Sequence, residues 1–268
     1  MEILTEKIIY NHRCLTNPRN KTELSMRHSH NMYELIFFEK GDATYVIEDR
    51  KYALKKHDLV FTRPLKYHYI EMKSNSEYSR FNIAFDASLV DNELLNSIPP
   101  DLEVINCPPE SIITDVFKRL DYYSAVLTEK AFTDILGALI KELLYNFALS
   151  ANSVANISFK TSPLLTKVLD YINENLFTIR DIKDVCAHFF VSQQYFFRLF
   201  QSQLKITPRK YLNGKRLLYA QKMLQQGKKP TDVYLLCGFE SYVGFYKQYV
   251  KTFGYPPSKE TAKNRSVL

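Results

Sequence analysis

The chain's 268 residues suffice for two domains of ordinary size. Its 24% charged and 46% hydrophobic residues exclude a wholly disordered polymer. No apolar run approaches the ~18 residues of a membrane span, and Met1 to Asn11 lack the apolar core of a secretory signal. The four cysteines, Cys14, Cys107, Cys186 and Cys237, stand apart without CxxC spacing, which argues against a disulfide scaffold or thiolate zinc site; the chain reads as cytoplasmic.

The predicted elements begin with strands. From Tyr33 to about Phe85, short alternating runs are broken by turn signals. Tyr33 to Glu39 stops at Lys40-Gly41-Asp42 and Thr44 to Glu48 turns at Asp49-Arg50. Lys51 to Leu54, Leu59 to Thr62, Tyr67 to Met72 and Tyr78 to Phe85 follow. Such spacing predicts a β-sandwich or small barrel. From Glu110 to about Ser150 the period turns helical. One stripe is Ile112, Val116, Leu120 and Tyr123; the next is Phe132, Leu136, Leu139, Ile140, Leu143 and Phe147. Helices of this kind either cover a barrel or pair with a second subunit; dimerisation is the expectation, although core packing writes the same pattern. Ala151 to Ser162, rich in Ser and Asn, reads as a linker.

Charge separates the two halves. Met1 to Pro163 carry 19 Lys+Arg against 22 Asp+Glu, a balance of −3, whereas Leu164 to Leu268 carry 17 against 7, a balance of +10. One segment thus holds the whole basic excess, the electrostatic footprint of nucleic-acid binding. A merely solvated basic surface would look alike, so motifs decide.

That segment contains a sequence written twice. Ser192-x3-Phe196-x-Arg198-x-Phe200 recurs as Ser241-x3-Phe245-x-Lys247-x-Tyr249, and Asp184-Val185 recurs as Asp232-Val233. Each copy reads as helix, tight turn, helix. The first copy is a helix from Asp181 to Phe189, a turn at Phe190-Val191-Ser192, and a helix from Gln193 to about Leu204 capped by Ser192. The second is a helix from Thr231 to Leu236, a turn at Gly238-Phe239, and a helix from about Ser241 to Phe253. Between them, Thr207-Pro208 opens and Gly227 closes a helix of ~28 Å. A rod of that length can hold two reading helices in successive major-groove faces, ~34 Å apart.

These residues resemble the AraC-type transcriptional regulators over Leu164 to Glu260. The match includes Ser192-x2-Tyr195-Phe196-x-Arg198-x-Phe200, Thr207-Pro208-x2-Tyr211-Leu212, Arg216-Leu217-x2-Ala220, Asp232-Val233, Gly238-Phe239-x-Ser241, Phe245-Tyr246-Lys247 and Phe253-Gly254-Tyr255-Pro256-Pro257. Two positions depart from the family pattern. Tyr234 stands where a small Ala is usual, and Gly244 lies inside the second reading helix at about 1 kcal/mol relative to Ala. The second unit is therefore expected to be the looser one.

On the helix from Gln193, residues Phe196, Leu199, Phe200 and Leu204 share one face, and Gln194, Phe197, Arg198 and Gln201 the other. Gln and Arg suit bidentate reading of adenine and guanine edges, and an aromatic ring can meet a thymine methyl. The corresponding face of the second copy carries Tyr242, Val243, Tyr246 and Lys247. Lys183, Arg209, Lys210, Lys228, Lys229 and Lys259 suit phosphates, which position without specifying sequence.

In the first half, His28-x-His30-x3-Glu34-x6-Gly41 resembles the first metal-binding motif of cupin barrels. The resemblance implies that His28, His30, Glu34 and His68 converge on a divalent metal. The second cupin motif is poorly kept, with His57-Asp58 in place of Gly-Asp. Pocket-lining or strand-pairing histidines are therefore the other reading, and no cofactor is assigned. The AraC-type resemblance implies a small-molecule effector, by analogy a sugar, for which His28, His30, Tyr33, Glu34, Tyr67, His68, Tyr78, Arg80 and Asn82 offer polar groups.

The expected architecture is an α+β multidomain chain. Residues 1–106 form a cupin-like β-barrel that binds the effector, 107–150 a helical dimerisation segment, 151–163 a linker, and 164–268 an all-α DNA-binding domain with two helix-turn-helix units. The expected partners are double-stranded DNA, the effector, a second copy of the chain and, by family resemblance, RNA polymerase, with activation the expected outcome and no membrane. No nucleophile–base constellation and no GxGxxG or GxxxxGK loop occurs, so the chain reads as a non-enzyme. The alternatives are a metal-dependent cupin enzyme fused to a DNA-binding segment, and a regulator governed by a partner protein.

Overall fold

In the computed structural model, which describes residues 2–16, 28–150, 159–160, 162–204 and 206–263, the chain divides into two compact units, Met1–Phe159 and Lys160–Leu268. Most of the expected linker, 151–158 and 161, lies outside the described residues.

The first unit contains β1 (Glu2–Leu4), β2 (Ile8–Leu15), β3 (Tyr33–Lys40), β4 (Ala43–Ile47), β5 (Arg50–Ala53), β6 (Asp58–Thr62), β7 (His68–Met72), β8 (Tyr78–Phe85) and β9 (Val104–Asn106). One sheet runs β1-β2-β8-β3-β6-β9, and β5, β4 and β7 lie side by side in a second. The two sheets are separate, a cupin-like sandwich where a closed barrel was expected. Alternation along β3 assigns its two faces. Ile36 and Phe38 meet Tyr45, Ile47 and Ile70 of the second sheet. Leu35 and Phe37 turn the other way, toward α2 (Ile112–Val126) and α3 (Glu129–Leu149). Both faces are buried here, so Leu35 to Phe38 is one apolar run. A short helix, α1 (Asn92–Ser97), precedes them.

The two long helices cover the first sheet. Phe37 stacks on Phe117 at 4.2 Å, and Tyr10 meets Phe132 edge-on at 4.9 Å. Ser111 and Thr128 cap the two helices through their side-chain oxygens. The α3 stripe from Phe132 to Phe147 is buried as expected. The α2 stripe needs a correction: Ile112 is 56% exposed, and Ile113 and Phe117 take the inward places beside Val116 and Leu120. Ile112 is the first residue of the helix, next to its Ser111 cap, and is left exposed there.

The second unit contains α4 (Pro163–Glu174), α5 (Ile182–His188), α6 (Gln193–Leu204), α7 (Pro208–Gln225), α8 (Pro230–Leu236), α9 (Tyr242–Phe253) and α10 (Pro257–Lys263). Asp181 and Asp184 form a capping box at α5. Ser192 Oγ accepts from the Tyr195 amide at 3.2 Å, and Thr207 and Ser241 cap α7 and α9. The first module packs Phe196 against Phe200 and Phe200 against Tyr211. In the second, Leu217, Leu224, Val233, Phe239, Phe245 and Tyr249 form the core.

Neither departure from the family pattern opens this core. The Tyr234 ring is half-buried, edge-on to Tyr242 at 5.7 Å. At Gly244 the amide donates to Ser241 Oγ, which a Cβ there would meet at 3.0 Å. Glycine thus leaves room for the cap. Among the described residues no helix is long and apolar enough to cross a membrane.

Candidate functional site

The two faces of α6 are divided as the spacing predicts. Phe196, Leu199, Phe200 and Leu204 are buried, while Gln194, Phe197, Arg198 and Gln201 are exposed. On α9, Val243, Tyr246 and Lys247 are exposed. Tyr242 differs: it is half-buried, with its ring against Tyr234, Phe245 and Tyr246, so much of its surface goes into packing.

The phosphate candidates Lys183, Arg209, Lys210, Lys228, Lys229 and Lys259 are all exposed. A cleft of about 570 Å³ brings Lys183, Phe197 and Arg209 together with Ser241, Gly244 and Gln248 of the second module. Lys210, Lys228, Lys229 and Lys259 do not line it. Arg180, which sequence reasoning passed over, does.

Two cations of α7 are structural. Arg216 is buried and donates from Nε to the Leu176 carbonyl at 2.8 Å and from a terminal nitrogen to that of Ile179. Buried Lys215 lies over the Tyr211 ring, 5.1 Å from its centroid.

In the first unit, a cavity of about 190 Å³ opens between the sheets. Of the polar candidates, His28, Glu34, His68, Arg80 and Asn82 line it. His30, Tyr33, Tyr67 and Tyr78 do not, and Tyr33 lies on the far side of its strand. It is one residue from Glu34 on β3 and so faces the opposite side, stacked between Phe61 at 5.6 Å and Phe85 at 5.5 Å. Asn11, Arg13, Tyr45 and Tyr69 line the cavity without having been anticipated.

Glu34 is the hub of this cavity. Its Oε2 accepts from Tyr45 Oη at 2.9 Å and faces His68 Nε2 at 3.1 Å, while Oε1 accepts from Asn82 Nδ2 at 3.0 Å. Burial opposes the Glu34 charge, but the His68 imidazolium beside it more than offsets this and holds the carboxyl well below its usual range. Burial likewise opposes charging of His68, and Glu34 overrides it, raising the imidazole above 6.5.

The metal expectation meets a mixed donor set. His28, His30 and His68 bring ring nitrogens within 4.8 Å of one another, held by the backbone pairing of His28 with His68. Nδ1 of His30 faces the Met32 carbonyl at 3.0 Å, which leaves its Nε2 for a metal, whereas His68 has Nδ1 facing the Lys66 carbonyl at 2.9 Å and Nε2 facing Glu34 at 3.1 Å. Burial lowers His30 to about 4 and keeps it neutral, as a ligand must be. The three imidazoles are close enough to share a metal, which His68 would join only by giving up its proton and its contact with Glu34. Glu34 does not join them, because Tyr45 and Asn82 hold it against His68.

A further polar cluster escaped sequence reasoning because its members are far apart in the chain. His12 on β2 faces Glu39 at 2.7 Å and Asp121 of α2 at 3.2 Å, and its ring stacks on Phe81 at 3.8 Å. The hydrogen bond to Glu39 raises His12 above 6.5. Burial opposes the Glu39 charge, but His12 and Ser79 lower its carboxyl below 4.5.

The two shifts define a pH window. A raised His contributes stability below its unfolded value that is lost as pH climbs through the folded one. A depressed Glu contributes above its unfolded value and loses it on acidification. The pair should therefore stabilise most between about 4.5 and 6.5. His12→Gln is expected to flatten the alkaline limb of a melting-temperature-versus-pH curve of the protein; an unchanged limb would remove His12 from the account.

Comparison with known proteins matches the same two parts. The AraC-like ligand binding domain family matches residues 14–161, more than half of the chain, and a helix-turn-helix domain family matches residues 185–263. The chain is 24% identical over 227 residues to the uncharacterized HTH-type transcriptional regulator YfiF of Bacillus subtilis (strain 168), covering 79% of this chain and 69% of that protein. It is 28% identical over 172 residues to the probable transcriptional regulator LumQ of Photobacterium leiognathi, covering 58% and 69%. To the HTH-type transcriptional activator RhaS of Klebsiella pneumoniae (strain 342) it is 22% identical over 254 residues, covering 90% and 88%. With its ligand-binding sandwich and its doubled helix-turn-helix unit, this chain belongs to the AraC family of DNA-binding transcriptional regulators.

Proposed function

We propose that this regulator is a homodimeric cytoplasmic activator that grips DNA with both helix-turn-helix modules and answers to a small molecule held between its two sheets. The division of α6 into a buried apolar face and an exposed Gln/Phe/Arg/Gln face carries this reading. We assign base reading to Gln194, Phe197, Arg198 and Gln201 in the first module and to Val243, Tyr246 and Lys247 in the second, with Tyr242 at the margin. Lys183, Arg209, Lys210, Lys228, Lys229 and Lys259 are assigned to phosphates. The 18 residues of α7 make a strut of ~27 Å, suited to modules in neighbouring major-groove faces.

An effector that binds one arrangement of the protein more tightly shifts the population toward it, and RNA polymerase is the partner on which an activator acts. Exposed Tyr122 and Val126 on α2 and Tyr145 and Leu149 on α3 support pairing of two subunits through these helices. The role assigned to the cavity is binding; no catalytic step is assigned to it.

Arg198→Ala is expected to lower specific affinity by about 1–3 kcal/mol and relax preference at one base position. Lys210→Ala should weaken all sequences alike and reduce the salt slope by about one. Selection from a randomised site library, followed by titrations at several salt concentrations, checks both. If Arg198→Ala loses affinity equally on every sequence, its assignment to base reading is wrong.

A second reading is favoured by the convergence of His28, His30 and His68. These imidazoles would hold a divalent metal that supplies a Lewis-acidic anchor for an oxygen ligand. Elemental analysis of the purified protein and of His30→Ala decides: stoichiometric metal lost in the variant supports it.

A further inference from the structure

Arg80 on β8 is only 8% exposed, yet its Nε has no hydrogen-bond partner and no described carboxylate forms an ion pair with it. Directly opposite on β2 stands Arg13, in register with it. Two like charges facing each other across strands repel. Alternation confirms that they share a face: the neighbouring pair His12 and Phe81 stacks on the helix side of the same strands.

The next pair on the cavity face is Asn11 opposite Asn82. Asn82 gives its amide nitrogen to Glu34, and the Oδ1 atoms of both asparagines are buried without a partner. Among the described residues the one carboxylate lining the cavity, Glu34, is already engaged by Tyr45, Asn82 and His68. The cavity thus holds an uncommitted buried guanidinium, a second one at its mouth, and two acceptors needing donors. Such an arrangement is complementary to an anion that also carries hydroxyl donors.

We propose that the effector is a small hydroxylated organic anion, its carboxylate or phosphate oxygens held by Arg80 and Arg13 and its hydroxyls donating to Asn11 and Asn82. Guanidinium matches either oxyanion in the same forked geometry. The cavity of about 190 Å³ has room for roughly six water volumes, so the ligand is short. This rests on the reading of the cavity as the effector site and replaces a neutral sugar by an acidic or phosphorylated relative.

The test uses the full-length protein and two matched probe sets: glycerol, glycerate and glycerol 3-phosphate; glucose, gluconate and glucose 6-phosphate. Thermal shift followed by calorimetry should detect an acidic member and not its neutral parent, and the carboxylate and phosphate arms separate the two sources. Arg80→Gln is expected to weaken that binding by about ten- to a hundred-fold. Without any anion, Arg80→Gln should melt close to the parent, since Arg80 makes no hydrogen bond or ion pair with a described residue and Glu34, whose charge it favours from across the cavity, keeps Tyr45, Asn82 and His68. Arg13→Gln, at an exposed position, provides a second variant with an intact interior.

Neutral members binding as well as the anions, with Arg80→Gln unaffected, would overturn the anion and leave the effector cavity standing. Binding by no member would count against both. A clear drop in the melting temperature of ligand-free Arg80→Gln would make Arg80 structural and end the proposal.

Discussion

Replacing Glu34 by alanine should destabilise the first unit by about 3–5 kcal/mol, the range for breaking a buried ion pair from one side. The loss has three sources. The His68 imidazolium, itself 2% exposed, is left without its counter-charge. Tyr45 Oη and Asn82 Nδ2 lose their acceptor in a buried place. The positive charge of Arg80 is no longer balanced across the cavity.

His68 has one escape, which is to give up its proton. With Glu34 absent, burial acts unopposed and its titration should fall, whereas in the parent it stands above 6.5. Urea denaturation gives the stability change and NMR titration of His68 gives its cause. Glu34→Gln should fall between parent and Ala, because an amide oxygen still accepts from Tyr45 but cannot balance the imidazolium. A loss below about 1 kcal/mol for Glu34→Ala would mean that the network contributes specificity rather than stability.

Gly238→Ala should destabilise the second unit by about 2–5 kcal/mol. Gly238 follows α8 with φ +74, a left-handed conformation that costs an L residue about 1–2 kcal/mol. A Cβ there would also lie 2.6 Å from the Phe177 carbonyl oxygen and 3.1 Å from the Arg216 guanidinium carbon. Overpacking of this sort adds about 1–3 kcal/mol.

Nothing nearby yields easily, since Arg216 is itself tied to Leu176 and Ile179. Gly227→Ala is the control. Its φ is +86, but a Cβ would meet nothing within 4 Å, so only the conformational part applies. Denaturation followed by circular dichroism should rank the two variants clearly. Equal losses would show that the contact with Phe177 and Arg216 relaxes at no expense.

The elements most legible in the sequence are those whose pattern is local. The α3 stripe from Phe132 to Phe147 repeats at helical spacing, and α6, α7 and α9 carry caps at Ser192, Thr207 and Ser241 and stops at Gly227 and Gly254. β2 was not legible for a functional reason. Its inward positions include Asn11 and Arg13, polar because they line the cavity, so the apolar alternation that marks a strand is missing.

Tyr33 was misplaced because a strand's register, which a run of Tyr, Leu, Ile and Phe does not reveal, decides its face. The His12–Glu39–Asp121 cluster joins β2, β3 and α2, and no spacing announces it. Arg216 was visible only as part of a family motif. Its burial reflects a turn closing over it, which composition cannot foresee.

That arginine has a mechanical consequence. From one side chain on α7 it reaches back to the stretch leading into α5 and presses forward on the turn between α8 and α9. Asn213, also on α7, donates to Gln248 on α9 at 2.8 Å. The two heads are therefore yoked to one axle and have little freedom to slide apart. Any tolerance toward operators of different half-site spacing must come from the double helix, through the ease with which the intervening base steps twist and bend.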